Sequence, residues 1–293
     1  NDHRAKAADK SLLRETKTRE AFLQASIGNT SIKVGRQILI WGESDGGAIT
    51  DVISPRDYSE LFFISLEESR IGQEILLVDQ FSDWGDVSLF YIPNPGFNAY
   101  PKEDTAYYYD PFNGQAVYRD ATSDESIEEF GVRWKKTFGK SDISVMAASL
   151  MENDKAFELA GYTSGGEMIL VKHKERYSMK GFAANFVKGN FLYKGELALK
   201  SPRSFNNASY QIVKRDVLDA ALGLEYSSGG STTIGLEMVN SHIYKWSEEL
   251  IGTDENSRSI VFVLNRTFLN DTLSVDWMSN YTFPREAWFH SLR

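Results

Sequence analysis

The sequence predicts an all-β protein, an antiparallel transmembrane β-barrel, and three observations carry that prediction. Apolar and polar residues alternate along segments of about 9 to 11 residues, the length of a tilted bilayer crossing. These segments fall into pairs, with tight turns inside each pair and long polar connections between pairs, the loop asymmetry of outer-membrane barrels. Their apolar faces end in aromatic residues, as expected where rings sit at the headgroup level.

Composition permits this. The chain has 293 residues, 42% of them hydrophobic, 25% charged and 13% aromatic. Its mean hydropathy of -0.36 is that of a soluble protein, but a barrel buries only alternate residues in lipid and keeps a low average. No apolar run approaches the roughly 20 residues of a spanning helix. The absence of cysteine excludes disulfides, thiolate metal sites and thiol catalysis. A net charge of -9 argues against nucleic acid as a partner. Residues 1–20 form a polar segment without a signal-peptide core.

Six hairpins follow from period-2 alternation bounded by turn residues. The first joins residues 21–28 to 31–42 near Asn29-Thr30, and the second joins 72–81 to 86–93 through Ser82-Asp83-Trp84-Gly85. The third joins 130–138 to 143–151 through Gly139-Lys140-Ser141-Asp142, and the fourth joins 177–188 to 191–200 at Gly189-Asn190. The fifth spans 217–240 and the sixth joins 259–268 to 273–283. About 12 strands are thus visible. The ending "AWFHSLR" after Pro284 reads as an internal position, so the 293 residues are expected to be one barrel domain, truncated from a larger barrel. The only candidate helix is "SPRDYSELFFISLEES".

The faces assign the residues. Leu222, Leu224, Leu236 and Met238 oppose Asp219, Glu225 and Glu237; Phe130, Val132 and Trp134 oppose Arg133 and Lys135. Phe191, Leu197 and Leu199 oppose Lys194 and Glu196, and Trp277 opposes Asp276. If the oily face meets lipid, Arg133, Lys135, Lys194, Glu196, Asp219, Glu225, Glu237 and Asp276 face a wet lumen. Lys136, Lys180 and Arg266 fall on the apolar side, where a position near the interface lets them snorkel. Arg36 shares the side of Ile32 and Val34 unless a bulge at Gly35 re-aims it.

Residues 34–71 differ from the rest, being dense in Asp, Glu, Arg and Gly. Gly35-Arg36-Gln37, Trp41-Gly42, Asp45, Asp51-Val52, Pro55, Asp57 and Arg70 match a Gly-Arg-Gln strand followed by Trp-Gly-x-x-Asp, Asp-Val-x-x-Pro-x-Asp and an Arg. In this the chain resembles a family of large, mostly uncharacterised Gram-negative outer-membrane barrels described only as a domain of unknown function. Ser54 departs from its usual Asn. Alginate-export and other porin-like barrels share the Gly-Arg-Gln element more loosely. The resemblance implies a bacterial outer-membrane location and passage of small, hydrophobic or anionic solutes, in some relatives beside an inner-membrane exporter.

Read without the family, residues 42–71 are a charged loop folded into the lumen as a constriction. Glu43, Asp45, Asp51 and Asp57 would form its acidic side; Arg36, Arg56 and Arg70 its basic side. The competing reading is that these charges pair with one another and pin the loop to the wall.

Other chemistry finds little support. His3, His173, His242 and His290 lie far apart without ligand spacing, so no metal or other cofactor is expected. Ser241 and His242 are strand neighbours and point to opposite faces, and no catalytic constellation appears. "TSGGE" and "SSGGS" read as turns. The basic run 171–180 could meet lipopolysaccharide phosphates, and the tyrosines of "AYYYDPF" could stack sugars. The leading expectation is therefore a non-enzymatic, porin-like channel for small solutes, in contact with outer-membrane lipid and lipopolysaccharide. A scaffold that docks a periplasmic carrier, exporter or electron-transfer partner, and a soluble carbohydrate-binding β-protein, are the alternatives.

Overall fold

The computed structural model describes residues 2–6, 12–16, 18–44, 46–59, 68–103, 105, 107–122, 127–229, 231–268 and 272–292. Asp45 and residues 60–67, half of the candidate helix, lie outside them. Among the described residues there is no helix. The strands in chain order are β1 (Asp2–Lys6), β2 (Leu12–Thr16), β3 (Ala21–Ile27), β4 (Thr30–Gln37), β5 (Gln73–Gln80), β6 (Asp86–Ile92), β7 (Ala116–Asp120), β8 (Glu129–Phe138) and β9 (Ser141–Met151). They continue with β10 (Ala156–Tyr162), β11 (Met168–His173), β12 (Arg176–Lys188), β13 (Phe191–Asn206), β14 (Ile212–Ser227), β15 (Thr232–Ile243), β16 (Asn256–Phe268), β17 (Leu273–Phe283) and β18 (Ala287–Leu292).

Thirteen strands form one antiparallel meander, β3-β4-β5-β6-β8-β9-β12-β13-β14-β15-β16-β17-β18, which contains all six hairpins read from the sequence. The expectation of about 12 strands misses β18, which pairs with β17 from Trp277↔Leu292 to Thr282↔Ala287. It also misses two smaller sheets. β1 pairs with β2, and β10-β11-β7 lies within connections read as irregular, with β11 and β7 parallel. β13 and β14 run to 16 residues each, well past the predicted crossing, and pair again at Arg203↔Arg215 beyond a register shift.

The alternation separates two faces. Leu222 is 72% exposed and Met238 59%, while their neighbours Ala221 and Glu237 are 4% and 5% exposed. Leu197, Leu224, Leu236, Phe182 and Val145 are likewise open on the same side. Were these strands two stacked sheets of a soluble β-protein, such side chains would be covered; here they are open. The open belt on β13 runs from Phe191 and Tyr193 to Leu199, nine residues, a full tilted crossing. Its turn end is ringed by Phe186, Tyr193, Phe191 and Tyr226, with centroids 5.1 to 6.5 Å apart.

The opposite face is only partly wet. Ile75, Leu77, Phe90, Ile92, Met146, Leu150 and Met179 cluster there with Leu39, Trp41, Ile49, Val52 and Ile53 of the segment that follows β4. That segment proves the curvature. From Gln37, still in β4, the chain reaches Val261 on β16 by Gly46. Nine extended residues cover at most about 32 Å, whereas nine strand steps of a flat sheet cover about 43 Å. The sheet must curl around the segment, which makes this the inner wall.

Candidate functional site: a segment docked on the inner wall

Why the wall accepts a segment is visible in its side chains. Gly131, Ala148, Gly181, Ala183, Ala198 and Ala221 face inward and leave a shallow floor. A Cβ on Gly181 would lie 2.9 Å from Thr50 Cγ2, and one on Gly46 would lie 2.5 Å from Val261 Cγ2. Gly46, against β16, and Gly181, on the wall itself, thus permit a backbone-to-wall approach that a side chain would block.

Three charged side chains of the wall hold it. The Glu196 carboxylate on β13 accepts the Glu43 N–H, the Ser44 N–H at 2.5 Å, the Thr50 N–H at 3.1 Å and the Thr50 hydroxyl at 2.7 Å. Glu237 on β15 accepts the Ser44 hydroxyl at 2.5 Å and the Gly46 N–H at 2.7 Å. Lys200 on β13 donates to the Ala48 carbonyl at 3.0 Å and to Asp219 on β14 at 2.5 Å. Buried carboxylates are stable only when their lone pairs are filled, and those of Glu196 and Glu237 are filled by backbone N–H and hydroxyl donors of one segment. Trp41 packs edge-on against Phe90 at 5.1 Å, with the Arg133 guanidinium over its ring at 5.6 Å.

The second anchor is ionic. Asp51 Oδ2 accepts from Arg56 at 2.9 Å and from Arg70 at 2.9 and 2.7 Å, all three side chains being nearly buried. Gln73 donates to the Ile53 carbonyl at 2.9 Å and Asn153 to the Val52 carbonyl at 2.9 Å. The expected division into an acidic and a basic side is therefore corrected. Asp51, Arg56 and Arg70 form one cluster, because the chain turns back between 51 and 56 and β5 begins just after Arg70.

Arg36 requires a second correction. Pairing of β3 with β4 runs unbroken from Ile27↔Thr30 to Ala21↔Arg36, so no bulge re-aims it and it stays on the side of exposed Val34. Its Nε donates to the Thr18 carbonyl at 2.7 Å, away from the cluster. Gln37 is the inward residue, donating to the Ile75 carbonyl at 2.9 Å. Asp57 lies farther out, bridged to Ala99 and accepting from Ser59 at 2.5 Å. Glu43 is half-buried and lies within the field of Arg133. Asp45 is outside the described residues.

The remaining inward charges flank the segment toward the tight turns. Lys135 pairs with Asp142 at 3.2 Å and Lys194 with Glu225 at 3.6 Å; Lys194 is nearly buried, the other three are partly exposed, and Asp276 is exposed. Sequence reasoning passed over Lys200, Gln73 and Asn153 as anchors. Lys200 had a signal, an inward charge in line with Glu196 and Ala198; the two amides had none. Among the described residues no three His, Asp or Glu side chains group to hold a metal ion. Ser241 and His242 diverge, the ring of His242 meeting Asn256 at 3.1 Å. A cross-strand contact the sequence did not reveal joins Ser279 Oγ to His290 Nδ1 at 2.9 Å; the described residues supply no carboxylate to orient that ring.

Sheet, belt and internal segment define a transmembrane β-barrel of the bacterial outer-membrane type, and solved structures agree in fold. OmpT of Vibrio cholerae with loop L8 deleted is 14% identical, with a TM-score of 0.56 over 97% of this chain and 80% of that one. Salmonella typhi OmpF, solved in complex with daunomycin, is 13% identical, with a TM-score of 0.52 over 93% of this chain and 72% of that one. By sequence the chain belongs to the family described as protein of unknown function (DUF1302), whose model matches residues 1–264. A search of curated proteins finds no relative.

Proposed function

We propose that the protein is a porin-like channel of the bacterial outer membrane, in which residues 38–57 narrow the lumen and the remaining charged wall filters small solutes. One observation carries the reading. An irregular segment held from two strands, by Glu196 and Lys200 of β13 and Glu237 of β15, lies inside the sheet, beside partly exposed Lys135 and Glu225. A fixed constriction next to solvated charges discriminates by size and by the sign of the local field. The pinning does not compete with this role, since a constriction must be rigid to select. Hydrophobic or anionic solutes remain the favoured cargo by family resemblance. Planar-bilayer recording on heat-modifiable, folded protein tests the proposal: stepwise conductance is expected, and folded protein that neither conducts nor admits solutes into liposomes would overturn it.

A further inference from the structure

The outer belt has a gap. Two rows of outward residues cross β6, β8, β9 and β12: Leu89, Val132, Ala147 and Lys180 in one, Tyr91, Phe130, Ser149 and Ser178 in the other. Each row steps from two large apolar side chains to a small one on β9, Ala147 or Ser149, and the step opens a groove of about 490 Å³ walled by Leu89, Phe130 and Val132. That volume lies within the range of small-molecule sites, but this one opens on the membrane-facing side. Lys180 is exposed at its edge and has no ion pair or hydrogen bond among the described residues. Nearby, Arg176 donates to the Ser149 hydroxyl at 2.8 Å, and Ser178 donates to the Ser201 carbonyl at 2.9 Å. The groove is thus oily along β8 and polar and cationic toward the start of β12.

We propose that this groove binds one acyl chain of a phosphate-bearing lipid, with the phosphate on Lys180 and beside Arg176. An unpaired Lys facing lipid is costly at mid-bilayer and tolerated near the interface; an anionic headgroup turns that cost into attraction. The groove's polar end lies where β12 leaves the long connection 152–175, and long connections of such barrels are extracellular. The lipid is therefore a phosphorylated glycolipid of the outer leaflet rather than a phospholipid. The inference rests on the membrane-spanning fold and not on conduction through the lumen.

Native mass spectrometry of the purified protein in detergent, titrated with diphosphoryl lipid A, phosphatidylethanolamine or inorganic phosphate, tests it. One diphosphoryl lipid A should be retained. Lys180→Gln should weaken retention about fivefold, the worth of one interfacial cation, and Lys180→Arg should restore it. Ala147→Leu, which fills the groove, should weaken retention as well. Equal retention by wild type and Lys180→Gln overturns the proposal, as does phosphatidylethanolamine binding as tightly as lipid A, or displacement of the lipid by phosphate alone. Lys180→Gln is a surface change, so the test survives if Ala147→Leu does not fold.

Discussion

Thr50 gives both its hydroxyl and its N–H to the Glu196 carboxylate, at 2.7 and 3.1 Å, across 146 residues of sequence. That pair, with the Glu43 and Ser44 N–H groups on the other oxygen, makes Glu196 the main fastening of the internal segment. Glu196→Gln keeps the shape but loses the charge and turns one acceptor into a donor facing donors. A loss of about 2 kcal/mol is expected from bonds to an ionised acceptor, together with a larger single-channel conductance as the segment lifts. The first is read from thermal unfolding, the second from planar bilayers. Unchanged conductance in a destabilised variant would show that the segment does not narrow the pore.

Asp51 stands between two guanidinium groups, so its removal is more damaging than the loss of either arginine. Asp51→Ala leaves Arg56 and Arg70 close together and without a counter-charge, a change that costs about 3–5 kcal/mol for a buried pair. Arg70→Lys should also destabilise, because Arg70 holds Oδ2 through Nε and Nη2 together, and an ammonium cannot reproduce that fork. Heat-modifiable gel migration of the three proteins should rank wild type above Arg70→Lys and Arg70→Lys above Asp51→Ala. The reverse order would mean that the cluster is not what secures residues 51–57.

Much of this fold was legible because a barrel writes itself into period 2. Leu222, Leu224 and Leu236 declared one face, and Gly189-Asn190 or Gly139-Lys140 marked the turns between strands. The β7, β10 and β11 sheet was not legible: each strand is short, at five to seven residues, and β7 finds β11 about fifty residues away, with no local signal. The inner apolar patch was hidden too. In "EILLVDQF" the outward Leu76 and the inward Ile75 and Leu77 look alike, and only a covering segment distinguishes them. At the site, the residue types were readable and their pairing was not. Asp51, Arg56 and Arg70 could as well face each other across a gap, and it took the turn after Asp51 to bring them onto one oxygen.

Close approach at Gly46 makes a sharp test of the docked segment. A Cβ there would sit 2.5 Å from Val261 Cγ2 and 2.8 Å from Glu237 Oε1, whereas one on Gly47 would meet Val239 Cγ1 at 3.1 Å. Gly46→Ala must displace Val261 or the segment itself, at a cost of about 1–3 kcal/mol for an overpacked contact. Gly47→Ala needs only a few tenths of an ångström from a valine methyl. Thermal unfolding should separate the two variants, with Gly46→Ala clearly lower. Equal melting would place the segment farther from β16 than described.

Alkaline pH should loosen the extramembrane platform around Tyr100. Its ring stacks on Tyr58 at 5.6 Å, and its hydroxyl donates to Asp154 at 2.7 Å. Partial burial, followed by the bond to the Asp154 carboxylate, raises the Tyr100 phenol above its ordinary value. A folded-state pKa raised above the unfolded one means that the folded protein holds its proton longer. The stabilisation is complete below about pH 10, where an unfolded tyrosine titrates, and is lost as pH rises through the folded value. Tyr100→Phe should flatten that alkaline decline in unfolding temperature and remove a late component from the tyrosinate absorbance titration. If the variant declines as steeply as wild type and its titration loses only an early component, Tyr100 is not the group being held protonated.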